Sequence, residues 1–240
     1  MQQNNIQILC TRSLPASLIN LAGEAGIEIS VSPFIETESM LSVEVQQETG
    51  LLSFQTAIVV FTSMNAVDAV TRLLNGYQPD WTIYSIGTAT GRLVKEYFGE
   101  EKIAGTAADA ALLAMLIAGD RFADEVVFFC GDQRRDELPA MLRQQGIEVN
   151  EIVVYQTINL PHVIEQHYQG ILFFSPSAVQ SFFQKNKLTG TTILFAIGNT
   201  TANEIKKFTD NKIVTSDSPE KENLVGKVME YFSERGSGEK

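Results

Sequence analysis

No apolar run in the sequence approaches the ~18 residues that a membrane-spanning helix requires, and the N-terminus, Met1–Asn5, is polar and uncharged, unlike a secretory signal. Cysteine is scarce: Cys10 and Cys130 stand without C-x-x-C spacing and are expected as buried strand-end thiols in a reducing cytosol. The two histidines, His162 and His167, lie in a polar segment without Cys or carboxylate geometry for a metal, so they are expected at the surface and no metal is expected. With so few histidines, Cys130 has no base to form a nucleophile–base pair. Positive charge is also short. A net charge of −11 disfavours nucleic acid, which needs a basic stripe, but a few backbone N–H groups and one or two arginines can still hold a small anion. Neither G-x-G-x-x-G nor a Walker A loop occurs, and Gly87-Thr88-Ala89-Thr90-Gly91 lacks the glycine pattern for a pyrophosphate.

What the chain does contain is one phrase used twice. Ala57–Val67 (AIVVFTSMNAV) and Gly170–Val179 (GILFFSPSAV) are apolar runs that end in small polar residues and then turn helical. Such runs suit strands buried on both faces, and the Ser or Thr that follows suits a helix N-cap. Tyr84–Thr90 (YSIGTAT) and Phe195–Thr201 (FAIGNTT) form a second shared phrase, again about half the chain apart, and Gly87 and Gly198 are expected to serve its tight turn. At 240 residues, 44% hydrophobic and 20% charged, the chain reads as a soluble globular protein of two similar halves.

Taken in order, Gln7–Thr11 is a strand and Ser13 the N-cap of a helix with Pro15 in its first turn, stopped by Gly26. Ile27–Val31 is the next strand, followed by an extended linker from Pro33. Residues 38–55 are polar and weakly patterned. Strand 57–61, helix 64–75, strand 81–86, helix 88–98, a short strand 102–104 and helix 107–118 capped by Thr106 follow. Strand 125–129 leads through CGDQRRDE to a helix ended by Gly146, and 147–157 is a long strand. A weakly structured stretch reaches Gln169. Beyond it lie strand 171–174, helix 176–186, strand 192–197, helix 199–208, a short strand at Ile213, helix 220–233 and a disordered tail, Gly236–Lys240.

The first strand–helix–strand has its own echo, since Gly26-Ile27-Glu28 matches Gly146-Ile147-Glu148 and Cys10 matches Cys130 at the same offset. The chain therefore runs A, B, A′, B′, and one A with one B makes a five-stranded, doubly wound α/β unit of flavodoxin-like size. Pattern alone leaves two pairings open, tandem (A with B) or swapped (A with B′, with B–A′ inserted). The swapped form explains why the segments near 33–38 and 153–158 resemble each other.

Polar signatures gather in the turns after strands: Thr11-Arg12-Ser13, Thr62-Ser63-Met64-Asn65, Thr88-Ala89-Thr90, Gly131–Arg135, Ser175-Pro176-Ser177 and Asn199-Thr200-Thr201. Ligands bind at that rim in open α/β sheets, where helix N-termini favour carboxylate or phosphate. Any single turn is more often an ordinary N-cap than a ligand contact.

In order and spacing, Thr11-Arg12, Phe61-Thr62-Ser63-x-Asn65-Ala66, Ile86-Gly87-x-x-Thr90, Gly131 with Arg135, Val154-Tyr155-Gln156-Thr157, Phe174-Ser175-Pro176-Ser177-Ala178 and Ile197-Gly198-x-x-Thr201-Ala202 resemble the uroporphyrinogen-III synthase family of tetrapyrrole biosynthesis, over nearly the whole chain. The resemblance implies the swapped pairing: domain 1 from 1–36 and 160–240, an inserted domain 2 at 39–152, and a two-stranded antiparallel linker at 33–38 and 153–159. It implies a cytoplasmic, monomeric lyase (a hydro-lyase of heme biosynthesis) that takes no cofactor. In the cleft between two lobes, such an enzyme closes the linear tetrapyrrole hydroxymethylbilane with loss of water and inverts the last pyrrole through a spiro intermediate. It implies Tyr155 as the catalytic acid, with Arg12, Ser63, Asn65, Thr88, Thr90, Arg135, Ser175, Ser177, Thr200 and Thr201 holding the substrate, and a transient contact with the preceding pathway enzyme. A non-enzymatic two-lobed binder of a small polyanion is the competing class, and a nucleotide-dependent α/β enzyme the third.

Overall fold

The structure is a computed structural model that describes residues 6–120 and 123–237, so the polar N-terminus Met1–Asn5 and residues 238–240 of the tail lie outside the described residues. In chain order the elements are β1 (Ile6–Cys10), α1 (Ala16–Glu24), β2 (Ile27–Val31), β3 (Ile35–Ser39), α2 (Val43–Ser53), β4 (Ala57–Phe61), α3 (Met64–Leu74), β5 (Trp81–Ile86) and α4 (Thr88–Phe98). After a 3-10 turn at Glu100–Lys102 come β6 (Ile103–Ala107), α5 (Ala110–Ala118), β7 (Glu125–Gly131), α6 (Glu137–Gln144) and β8 (Glu148–Asn159). The last third holds β9 (Gly170–Phe173), α7 (Pro176–Phe183), β10 (Ile193–Ala196), α8 (Asn199–Ile205), β11 (Ile213–Thr215) and α9 (Lys221–Ser237).

Contacts divide the chain into two units, one of residues 1–36 with 158–240 and the other of 37–157. The first unit's sheet has the order β11-β10-β9-β1-β2, with its neighbours parallel. β1 pairs there with β9, Ile8 opposite Gly170 and Cys10 opposite Leu172. The second sheet has the order β3-β8-β7-β4-β5-β6, parallel from β8 to β6.

Helices between parallel strands cover both faces of a sheet, which is why the strands are apolar at successive positions. In β4, Val59 and Phe61 enter one core with Trp81, Phe98 and Phe129, while Val60 faces the other with Tyr84 and Phe128. In β1, Ile8 and Cys10 pack with Ile27, Phe195 and Leu224, and Leu9 packs with Phe34, Phe173 and Phe182. Both thiols are free and buried at strand ends.

Several local expectations need correction. Ser13 does not cap α1; the helix starts at Ala16 with Pro15 at the cap position and no side-chain cap bond. Thr106 is no cap either. It extends β6 opposite Ser85, whose hydroxyl it meets at 3.0 Å, and Asp109 caps α5 by accepting from the Leu112 N–H at 2.9 Å. Cys130 and Gly131 belong to β7 rather than to a loop. Residues 38–55, weakly patterned in the sequence, hold the end of β3 and α2, whose cap Ser42 accepts from the Val45 N–H. Gly236 and Ser237 continue α9 beyond its packed Tyr231 and Phe232, where a disordered tail is expected from composition. Of the paired glycines, only Gly87 needs to be glycine for its backbone: its φ is +82°, whereas Gly198 is extended at −179°.

His162 is not a free surface side chain. Its ring stacks on Phe34 at 4.0 Å, with one nitrogen 2.7 Å from the Ser32 hydroxyl and the other 2.9 Å from the Leu160 carbonyl. His167 is exposed, as expected.

Candidate active site

In the 37–157 unit the polar turns sit where parallel strands hand over to helices. The turn after β4 carries Ser63, in extended conformation (φ −146°), whose hydroxyl oxygen accepts from the Asn65 N–H at 3.2 Å and so caps α3. Tyr155 reaches this cap from β8, its phenol donating to the Ser63 hydroxyl at 3.2 Å. Because the Ser63 oxygen accepts twice, its own proton is directed elsewhere and is available to a guest.

A cavity of about 460 Å³ adjoins the pair, lined by Thr37, Glu38, Ser39, Leu41, Asn65, Asp68, Arg72 and Tyr155. Asn65, Asp68 and Arg72 are spaced three and four apart on α3, so they share one face of the helix. Arg72, Asp68 and Glu38 were not singled out by sequence motifs, although the 65/68/72 spacing is readable once the helix is assigned.

Burial raises the Tyr155 phenol above its ordinary value of 10.0, the Ser63 hydrogen bond works against this, and Cys130 and Asp132 add to the rise. Tyr155 is therefore a neutral hydrogen-bond donor throughout the physiological range. The backbone around it is tied to the turn after β7: the Asp132 N–H donates to the Tyr155 carbonyl at 3.1 Å, and the Asp132 carboxylate accepts from the Thr157 N–H at 2.9 Å.

The other expected ligands of this unit are more scattered. Thr88 is exposed at the first position of α4, but Thr90 is buried, 6% exposed. Arg135 is exposed and makes none of the ion pairs found among the described residues. Its neighbour Arg134 is the engaged one, bridging Glu151 and Asp136, with Arg143 also on Glu151 at 2.6 Å.

The other unit has its own rim. Thr11 is buried and its hydroxyl donates to the Leu172 carbonyl at 2.7 Å, which makes it a brace between β1 and β9. Arg12 lies over the Phe174 ring at 5.6 Å, a cation–π contact next to Ser175. Ser175 caps α7 by accepting from the Ala178 N–H at 3.2 Å, and Ser177 is half-buried one turn position on. Thr200 is exposed on α8, whereas Thr201 is buried, 3% exposed. Among the described residues no group of three or more His, Cys, Asp and Glu is placed to hold a metal ion, and no helix is long and apolar enough to cross a membrane.

These features define an α/β protein with parallel sheets and interleaved helices, whose hydroxyls, amides and a neutral phenol collect at strand ends. The family model for uroporphyrinogen-III synthase HemD matches residues 16–226. The chain belongs to the uroporphyrinogen-III synthase family. It is 29% identical over 180 residues to uroporphyrinogen-III synthase of Saccharomyces cerevisiae, a match that spans 62% of this chain and 64% of the yeast protein, just under two thirds. The fold is that of solved structures at low identity. The uroporphyrinogen-III synthetase of Helicobacter pylori superposes with a TM-score of 0.64 at 15% identity, covering 94% of this chain and 99% of that one. A mutant uroporphyrinogen III synthase of Thermus thermophilus gives 0.66 at 15% identity, covering 98% and 100%.

Proposed function

We propose that the chain is a uroporphyrinogen-III synthase: a lyase that closes hydroxymethylbilane to uroporphyrinogen III with loss of water and inversion of the terminal pyrrole. The observation that carries this reading is the Tyr155 phenol, held 3.2 Å from Ser63 beside a polar cavity in a chain of this family. In this reading Tyr155 gives its proton to the departing hydroxyl of the substrate's hydroxymethyl group, so the C–O bond breaks to release water. Burial leaves the resulting phenolate a strong base. It regains a proton when the inverted pyrrole carbon, having passed through the spiro intermediate, loses its hydrogen and becomes aromatic again. The proton balance closes without a cofactor.

Ser63 and Asn65, with Thr88 and Arg135, are proposed to hold carboxylates of the substrate from the 37–157 unit, and Arg12, Ser175, Ser177 and Thr200 from the other. Thr90 and Thr201 contribute through their backbone, their side chains being buried. Holding the chain folded, so that inverted attack outruns simple closure, supplies the larger share of the rate. The two units are proposed to be flavodoxin-like domains. The strand order of the first, outward from β2, is the 2-1-3-4-5 of that class once renumbered within the unit, and the second is inserted into the first through the antiparallel linker strands. The enzyme is proposed to act as a cytoplasmic monomer that takes its unstable substrate from the preceding enzyme by transient contact.

Incubating the protein with freshly prepared hydroxymethylbilane and separating the product isomers tests the reading. Uroporphyrinogen III in excess over the non-inverted isomer is the expected result. Binding of the bilane with product no different from spontaneous closure would leave only a polyanion binder.

A further inference from the structure

Gly131, at the end of β7, faces Tyr155 across an irregular stretch of the sheet. Cys130 pairs with Val153 but Gly131 with Tyr155, so β8 fits one additional residue, Val154, into the interval. Val154 is fully buried in the core beside Phe129 and Val127. Bulges of this kind re-aim the side chain that follows them. Here the re-aimed ring occupies the space where a Gly131 side chain would stand. A Cβ built on Gly131 would stand 2.4 Å from the Tyr155 Cζ, 2.6 Å from Cε2 and 2.7 Å from the phenol oxygen. Those are its three nearest atoms, so the conflict is with the reactive end of the ring. The backbone of Gly131 is outside the left-handed region that favours glycine. What this position requires is the absence of a side chain.

The main chain around Tyr155 cannot absorb the conflict easily, because Asp132 grips it at the Tyr155 carbonyl and the Thr157 N–H. The ring must move instead. Restoring ordinary contact, at 3.4 Å or more, shifts the phenol by about 1 Å, and a displacement of that size costs on the order of 100-fold in rate.

We infer that Gly131 is a positioning residue for the reaction: its bare Cα is the seat that holds the Tyr155 phenol against Ser63. The inference rests on the proposed role of Tyr155 as proton donor.

The test is Gly131→Ala beside Tyr155→Phe and the double variant. Gly131→Ala is expected to lower kcat about 100-fold with KM for hydroxymethylbilane changed by less than about threefold, since the cavity's other groups remain. The double variant should be no slower than Tyr155→Phe, because both changes remove one and the same contribution. An unchanged kcat in Gly131→Ala, or losses that multiply in the double variant, would overturn the inference. The Tyr155 ring NMR signal, assigned by its disappearance in Tyr155→Phe, separates the two claims. If Tyr155→Phe turns over normally, the donor reading fails, and the seat still stands or falls on whether that signal moves in Gly131→Ala. If Gly131→Ala does not fold, adding Tyr155→Ala should restore folding by clearing the space; failure to do so also overturns the inference.

Discussion

Replacing Tyr155 by Phe removes one oxygen from a site whose contacts separate stability from chemistry. The lost hydrogen bond to Ser63 is 3.2 Å long, beyond the usual range for hydroxyl pairs, and Ser63 keeps its Asn65 N–H partner. A neutral bond of this kind contributes about 1 kcal/mol or less. In a chain of this length that corresponds to a fall in Tm of no more than ~4 °C. Loss of a positioned general acid, in contrast, lowers the rate ~10²–10⁴-fold. The assay is the initial rate of uroporphyrinogen III formation, with product isomers separated because the bilane also closes unaided. The phenol's raised pKa adds a pH signature: the wild-type rate should hold through pH 10.0 and fall only above it, a limb the variant lacks. A variant with wild-type turnover, or one that loses activity only in proportion to a large loss of folded protein, would refute the assignment.

The buried thiols give a second titration. Cys10 and Cys130 are each raised from 9.0 to about 11, chiefly by burial. The unfolded chain therefore ionises before the folded one. Stability is fully present below pH 9.0 and is lost as pH rises toward about 11, by ~2–3 kcal/mol per thiol. The Cys10→Ala/Cys130→Ala variant should show a flatter alkaline limb in denaturant melts. His162→Ala removes a ring stack and two hydrogen bonds within its unit and should cost ~1–3 kcal/mol, read from the urea midpoint. Gly87→Ala forces a side chain into φ +82° and should cost ~1–3 kcal/mol, whereas Gly198→Ala, at φ −179°, should leave Tm unchanged or slightly raised.

Strands buried on both faces were the most legible part of the fold. β4 and β5 occupy the spans expected from their apolar runs, 57–61 and 81–86, because such runs have few other stable placements. α2 was illegible for an opposite reason. Its core face mixes the small polar Thr49 and Ser53 with Val45 and Leu52, while Val43, Leu51 and the adjoining Phe54 are exposed, which blurs the pattern by which amphipathic helices are recognised. The repeat exposed the two halves but left open whether β1 belongs with its sequence neighbour or with β9, since sequence similarity carries no partner information; the sheet order joins it to β9. Polar turns at strand ends marked the rim, yet motif reading could not separate Thr88, which is exposed, from Thr90, which is buried two positions later. Nor could it pair Tyr155 with Ser63, 92 residues away, or see that Gly131 leaves room for the ring.

The union of β1 with β9 also bears on how the chain is made. Until Leu172 leaves the ribosome, Cys10 and its neighbours have β2 on one flank and nothing on the other. At ~5–20 residues per second that wait lasts on the order of 10–30 s. Residues 37–157, by comparison, form an uninterrupted stretch with every strand of their unit already synthesised. β1 is thus made long before the strand that encloses it, and an apolar strand left open on one side for that long is a natural client for a chaperone.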